Sequence, residues 1–168
     1  MPKREPEYKS KTPTQIDWAR LAAYIDGEGC IRIREKSYKL VAGSGKFTEL
    51  RLTVSNCDPR LMAWLKDKFA GFVIVQSGKH RKAARYYNWE ATGRHAEWVL
   101  ENCPDFFVIK RDQAEVGLAH QALIDYSRRG TSRGTIPERM VLRSKLSLLK
   151  GTASIQKDEQ GIRLNLAI

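Results

Sequence analysis

Asp26-Gly27-Glu28-Gly29 sets two carboxylates two residues apart, each followed by a glycine. A hard divalent cation such as Mg²⁺ prefers oxygen ligands and needs only one or two carboxylates beside water and phosphate oxygens. The same four residues also suit a plain structural role, a packed helix ended by a glycine cap. A calcium loop of the EF-hand kind is a third reading. It fails, because that loop needs oxygen ligands at alternate positions and a late Glu, and residues 30–34 supply Cys, Ile and Arg. Other chemistries lack parts. Cys30, Cys57 and Cys103 are far apart and odd in number, with no CxxC pair, which argues against a zinc knuckle or a disulfide framework. His80, His95 and His120 have no second ligand at metal spacing, so a zinc enzyme or a Ser/His/Asp hydrolase finds no support.

The 168 residues fit one domain, and 42% apolar with 29% charged is a globular mix. Lys and Arg total 30 against 19 Asp and Glu, a net charge of +11. Such an excess points to a polyanionic partner or an anionic membrane surface. No apolar run approaches the length of a membrane helix, and Met1-Pro2-Lys3-Arg4-Glu5-Pro6 lacks the apolar stretch of a signal peptide. The expected location is intracellular, in the nucleoid or an organelle, with no membrane partner.

The elements that must position the acids follow from periodicity. Residues 1–13, with Pro2, Pro6 and Pro13, read as a mobile arm, residues 14–150 as one domain, and 151–168 as a tail with a possible short strand at 162–166. Thr14 or Asp17 offers an N-cap for a helix over Ile16–Asp26, stopped by Gly27 and Gly29. Cys30–Glu35 alternates, with Ile31 and Ile33 on one side and Arg32 and Arg34 on the other. After a polar loop at Ala42–Lys46, residues 48–56 alternate again, Leu50, Leu52 and Val54 inward, Glu49, Arg51, Thr53 and Ser55 outward. Asp58-Pro59 opens a second helix ended by Gly71. A second hairpin follows, Phe72–Gln76 and Tyr86–Thr92 around the basic loop Lys79–Arg85, with Tyr86, Tyr87 and Trp89 read as packing residues. Helices are expected over His95–Asn102, 111–126 and Pro137–Leu149. The pattern is an α+β domain whose antiparallel sheet is covered by helices on one face and carries a basic, polar opposite face. Such a face suits a groove of duplex DNA, which admits a β-ribbon.

In the first helix Ala19, Ala23 and Gly27 recur every four residues and form one ridge of small side chains. Small residues at that spacing let two helix backbones approach closely.

Leu21-Ala22-Ala23-Tyr24-Ile25-Asp26-Gly27-Glu28-Gly29 resembles the signature of the LAGLIDADG homing endonucleases, in the variant ending Asp-Gly-Glu-Gly. Val54-Ser55-Asn56 with Asp58 and Leu61 is similar to the family's second strand entering its second helix, and Ala70-Gly71-Phe72 to its glycine turn. Pro104–Ala114, with Lys110 and Gln113-Ala114, resembles the family's Pro…Lys-x-x-Gln-Ala segment. The resemblance covers roughly residues 16–126, in order. It implies an αββαββα core, a curved sheet forming a DNA-binding saddle, and metal-dependent cleavage of double-stranded DNA at a long target. The signature does not recur after residue 29, so the resemblance is to the single-motif, homodimeric branch, often intron-encoded. Cutting two strands takes two acidic sites, and one chain supplies one such helix end. An isologous dimer paired across Ala19, Ala23 and Gly27 would match a roughly palindromic site.

By the resemblance, Glu28 is the metal carboxylate for Mg²⁺ (or Mn²⁺) and the main-chain carbonyl of Gly27 completes the coordination. Asp26 is expected to cap or hydrogen-bond the helix end rather than bind the metal. The family often carries Asp where this chain has Glu28. Lys110 matches a lysine near the scissile phosphate, Asn56 a polar amide of the solvent network, and Arg60 a basic residue of the same pocket. Base edges would be read from the outer face by Arg32, Arg34, Lys36, Arg51, Thr53, Ser55 and Gln76. Lys79, Arg81, Lys82 and Arg85 would reach phosphates, as would a second cluster at Arg128, Arg129 and Arg133. An RNA-binding intron maturase and a cleavage-deficient DNA-binding regulator are the alternative functions.

Overall fold

The computed structural model describes residues 5–40, 43–76, 86–126, 135–151, 155–158 and 161–164. Helix α1 (Gln15–Glu28) starts at Thr14 and runs two residues beyond the expected Asp26, with Gly29 as its C-cap. The cap is Thr14 rather than Asp17, and the two form a capping box: the Asp17 N–H donates to Thr14 Oγ1 at 3.2 Å and the Thr14 N–H to Asp17 Oδ2 at 2.9 Å. Strands β1 (Gly29–Leu40) and β2 (Gly43–Asn56) pair antiparallel from Gly29↔Val54 out to Leu40↔Gly43. The hairpin is therefore longer than its apolar alternation, and the expected loop at Ala42–Lys46 lies largely within β2. Ion pairs hold the extension: Lys46 with Glu35 at 2.9 Å, and Lys36 with Glu49 at 2.5 Å.

Helix α2 (Pro59–Phe69) opens on Asp58, whose Oδ1 accepts the Arg60 N–H at 2.8 Å. It closes through Ala70 and Gly71, both at positive φ. A Cβ on Gly71 would lie 2.7 Å from the Glu90 carbonyl oxygen, so only glycine fits this turn. Strands β3 (Phe72–Gln76) and β4 (Tyr86–Thr92) complete one antiparallel sheet of order β1-β2-β4-β3. Helices α3 (Arg94–Asn102), α4 (Arg111–Tyr126) and α5 (Thr135–Gly151) follow, then a hairpin of β5 (Ile155–Asp158) and β6 (Gly161–Leu164) in the expected tail. Within the segment expected as a mobile arm, Glu7–Ser10 forms a turn of 3-10 helix, and Tyr8 stacks on His95 with ring centroids 4.8 Å apart.

The helices bury one face of the sheet. Leu21 and Ile25 of α1, Ile31 and Ile33, Leu50, Leu52 and Val54, Leu65 and Phe69, and Trp89 form a single core with Val99, Leu100 and Leu146. Burying such side chains supplies about 1.5–3 kcal/mol each relative to exposure. Helix α4 approaches the sheet at Gly117, where a Cβ would meet Leu50 Cδ1 at 3.0 Å and Leu100 Cδ1 at 3.3 Å. Next to it His120 is fully buried, its Nε2 2.8 Å from Thr48 Oγ1. Burial, with the Arg139 cation adding to it, lowers the His120 pKa from 6.5 to about 4. The unfolded chain therefore binds this proton first on acidification, and folding stability falls as pH drops from about 6.5 toward 4, by roughly 3 kcal/mol. Melting at pH 7 and pH 4.5 should show this loss in the wild type and a much smaller one in His120→Gln. Equal losses in both would remove His120 as its source.

Candidate active site and nucleic-acid face

The passage from α1 to β1 depends on Gly29, because a Cβ there would lie 2.6 Å from both the Cα and the carbonyl oxygen of Ile25. This close turn leaves Glu28 exposed at the last position of α1, beside the end of β2. Asn56 Nδ2 donates to Glu28 Oε2 at 2.5 Å, and Asn56 Oδ1 accepts the Asp58 N–H at 2.8 Å. The second bond fixes which way the amide points, so its NH₂ group faces the carboxylate. Arg60 turns back onto its own cap. Its Nε lies 3.0 Å from both Asp58 oxygens and its Nη2 2.5 Å from Oδ2. That guanidinium holds the Asp58 carboxyl at about 2, well below the usual carboxylate range. Arg60 thus lines an open groove with Arg20, Tyr24, Leu61 and Trp64 rather than touching Glu28.

Asp26 has a different task from its neighbour. Its Oδ2 accepts the N–H groups of Val108 at 2.7 Å and Ile109 at 3.3 Å, and its Oδ1 that of Lys110 at 2.9 Å. The carboxylate thereby ties the segment before α4 to the end of α1. Lys110 completes the tie: its Nζ donates to the carbonyl oxygens of Ile25 and Asp26, each at 2.6 Å. An ammonium at a helix C-terminus satisfies orphan carbonyls and meets the negative end of the dipole. Partial burial lowers the Lys110 pKa. Cys30 and Lys150, which the sequence did not single out for chemistry, meet beside this point, with Lys150 Nζ 3.3 Å from Cys30 Sγ. Burial would raise the Cys30 thiol, but Lys150 and then Arg32 outweigh it and the net shift is downward. Among the described residues, no group of three or more His, Cys, Asp or Glu converges as a metal cage.

The outer face of the sheet carries the expected residues in register, with Arg32 directly opposite Arg51 and Cys30 opposite Thr53. Their exposure differs. Arg32 is exposed, and Arg34, Lys36, Ser55 and Gln76 are half-buried. Arg51 pairs with Glu90, and both side chains are mostly covered. Thr53 is buried, its Oγ1 3.5 Å from the Cys30 carbonyl oxygen, and Ser55 Oγ donates to Asn88 Oδ1 at 2.6 Å. The central position of β2 is the cause, since side chains of β1 and β4 flank it on both sides. Of the three aromatics read as packing, Trp89 is fully buried and donates its Nε1–H to the Ala70 carbonyl at 2.7 Å. Tyr87 is half-buried and packs on the core, whereas Tyr86 is exposed on the outer face. Lys79, Arg81, Lys82 and Arg85, and the cluster Arg128, Arg129 and Arg133, lie outside the described residues. Among the described residues no helix is long and apolar enough to cross a membrane.

The sequence matches no protein-family profile and no curated protein. Solved structures do match. Over 80% of this chain and 82% of its own, the homing endonuclease I-CvuI, in complex with the I-CreI target in the presence of Mg, superposes with a TM-score of 0.64 at 19% identity. The archaeal intron-encoded homing endonuclease I-Vdi141I, complexed with DNA, covers 85% of this chain and 89% of its own, with a TM-score of 0.65 at 11% identity. The LAGLIDADG homing endonuclease I-GzeII, in complex with its DNA target, covers 89% of this chain but only 47% of its own length, with a TM-score of 0.54 at 10% identity. The chain has the homing endonuclease fold, an antiparallel four-stranded sheet backed by helices.

Proposed function

We propose that the chain is a single-motif LAGLIDADG homing endonuclease, a site-specific, divalent-metal-dependent nuclease that cuts double-stranded DNA as a homodimer on a long pseudo-palindromic target. The observation that carries this reading is Glu28: an exposed carboxylate at the glycine-flanked end of α1, held by Asn56 within 2.5 Å and lying next to the Lys110 ammonium's anchorage on the same helix end. The motif, in its Asp-Gly-Glu-Gly variant, the fold and the net charge of +11 agree with it.

The donor set fits Mg²⁺ or Mn²⁺ in one form only. A single exposed carboxylate is too little for a protein cage, but Mg²⁺ is held by one or two carboxylates with waters and phosphate oxygens. Glu28 from each of two copies, with the Gly27 carbonyl and the DNA phosphate, would supply that set. When bound, the ion would lower the pKa of a water and stabilise charge on the phosphate. The chain's own residues do the rest. Asn56 orients the Glu28 carboxylate. Asp26 and the α1 carbonyls hold Lys110 at the helix end, from which its cation can stabilise charge developing on the phosphate.

The pairing surface is the exposed side of α1. Ala23 and Gly27 are exposed, Ala19 is half-buried, and a Cβ on Gly27 would meet nothing within 4 Å. This chain alone therefore makes no demand for glycine at 27, whereas a second α1 lying across the ridge would. Val108 and Ile109, which bond to Asp26 through their amides, are 89% and 68% exposed beside it and would extend the contact. The chain spans about half the length of I-GzeII, which leaves room in that protein for a second such unit and supports a unit that works in pairs. Ala23→Leu should block the helix approach, turning a dimer in light scattering into a monomer and abolishing double-strand cleavage; an unchanged mass would remove the ridge as the interface.

The direct test is incubation with a randomised duplex library with Mg²⁺ and with EDTA. A discrete, roughly two-fold symmetric cut that needs the metal supports the proposal. Binding should weaken with salt, by a slope of about −0.9 per neutralised phosphate. Salt-sensitive duplex binding without cutting would instead favour a regulator, and preference for structured RNA a maturase.

A further inference from the structure

The outer face of the sheet is not only cationic. Phe72 pairs with Glu90, Ile74 with Asn88 and Gln76 with Tyr86, while Glu90 pairs with Thr53 and Asn88 with Ser55. Alternation along each strand therefore puts Phe72, Ile74 and Tyr86 on the same side as Arg32 and Arg51, opposite to buried Trp89. All three are exposed, Phe72 at 69%, Ile74 at 39% and Tyr86 at 41%. They lie on β3, the edge strand, and on β4 beside it.

An exposed apolar edge strand costs a protein solubility and invites unwanted pairing. Two occupants could cover it, a second copy of the chain or the ligand of the face. The charge decides for the ligand. The apolar strip continues a face on which Arg32, Arg34, Lys36 and Arg51 outnumber Glu49 and Glu90, on a chain of net charge +11, which matches a polyanion and repels another such face. In the major groove of duplex DNA the apolar feature of a base pair is the C5 methyl group of thymine. Residues two apart on one face of a strand are about 6.8 Å apart, the length of roughly two base-pair steps.

We propose that Phe72 and Ile74 are specificity residues that read the C5 methyl groups of two thymines, about two steps apart, in the major groove of the bound duplex. The inference rests on the DNA-binding reading above and adds a base preference to it. Gln76, next on the same face, continues the row with an amide.

The test selects duplexes from a randomised library by binding to wild type and to Phe72→Ser/Ile74→Ser, in EDTA so that nothing is cut. The selected wild-type duplex is then remade with deoxyuridine, which lacks only the methyl, at each thymine of the expected pair. Wild type should bind each singly substituted duplex about fourfold more weakly, the worth of one buried methyl, and the double variant should bind all of them equally. Equal wild-type affinity for thymine and uracil duplexes overturns the inference, as does retention of the same thymines in sites selected by the double variant. A change of mass in light scattering between wild type and the double variant assigns the strip to a second copy, and also overturns it. Failure of wild type to bind any duplex in a salt-dependent way is a different result, because it removes the DNA reading itself.

Discussion

Glu28→Gln should lower cleavage of the cognate duplex by ~10³-fold or more and leave duplex binding intact or slightly tighter. The substitution keeps size and shape and removes only the charge. Losing the charged ligand of a metal that stabilises a phosphate transition state costs several kcal/mol, and about 1.4 kcal/mol is tenfold in rate. Binding moves the other way because a carboxylate facing a phosphate is repelled by it. Two such carboxylates brought together in a dimer also repel each other, so the variant dimer should dissociate less readily without metal. Asn56→Ala provides the graded control. It leaves the carboxylate but frees its orientation, and should cost about tenfold. Single-turnover cleavage and filter binding on one duplex measure both quantities. Cleavage by Glu28→Gln within tenfold of wild type would falsify the assignment of the metal carboxylate.

Much of this arrangement was legible from local rules. Apolar alternation at Ile31/Ile33 and at Leu50/Leu52/Val54 gave the buried side of the first hairpin, and Asp58-Pro59 gave the start of α2. Alternation decides the side of a sheet but not exposure. Arg51 and Thr53 face outward as the alternation requires, yet both are largely covered, because β2 has a neighbour on each side and Glu90 of β4 reaches Arg51. Tyr86 departs in the opposite sense: expected on the apolar face with Tyr87 and Trp89, it belongs by parity with Asn88 and Glu90. The long reach of β1 and β2 was harder to read, because the apolar residues that alternate beyond Ile33, Tyr38 and Leu40, have the opposite parity to Ile31 and Ile33. Charged pairs such as Lys46 with Glu35 span the strands there, and each partner alone looks like a loop residue.

The role of Asp26 was the least legible, because its partners lie 82 to 84 positions away. Its place at the helix end could be read from the motif, but not the segment that it holds there. Three amide N–H groups aimed at its two oxygens favour the fold over the ion.

Asp26→Ala is therefore expected to act through position and stability, not through metal affinity. The loss of a carboxylate that accepts three N–H bonds costs about 2 kcal/mol, tempered because Val108 and Ile109 are exposed and water can replace their partner. For a domain of this size that amounts to a fall in melting temperature of roughly 6 °C. Of the bonds that tie Lys110 to α1, only those from its side chain to the Ile25 and Asp26 carbonyls would remain, so cleavage should fall by about one to two orders of magnitude at saturating Mg²⁺. The Mg²⁺ concentration for half-maximal rate should stay where it is. A carboxylate that ligated the ion would give the reverse pattern, with the melting temperature unchanged in EDTA and the metal requirement shifted upward. Asp26→Asn separates the two again: its remaining amide oxygen can still accept N–H bonds, so it should recover part of the stability and of the rate together, whereas a ligand lost to neutralisation would recover neither.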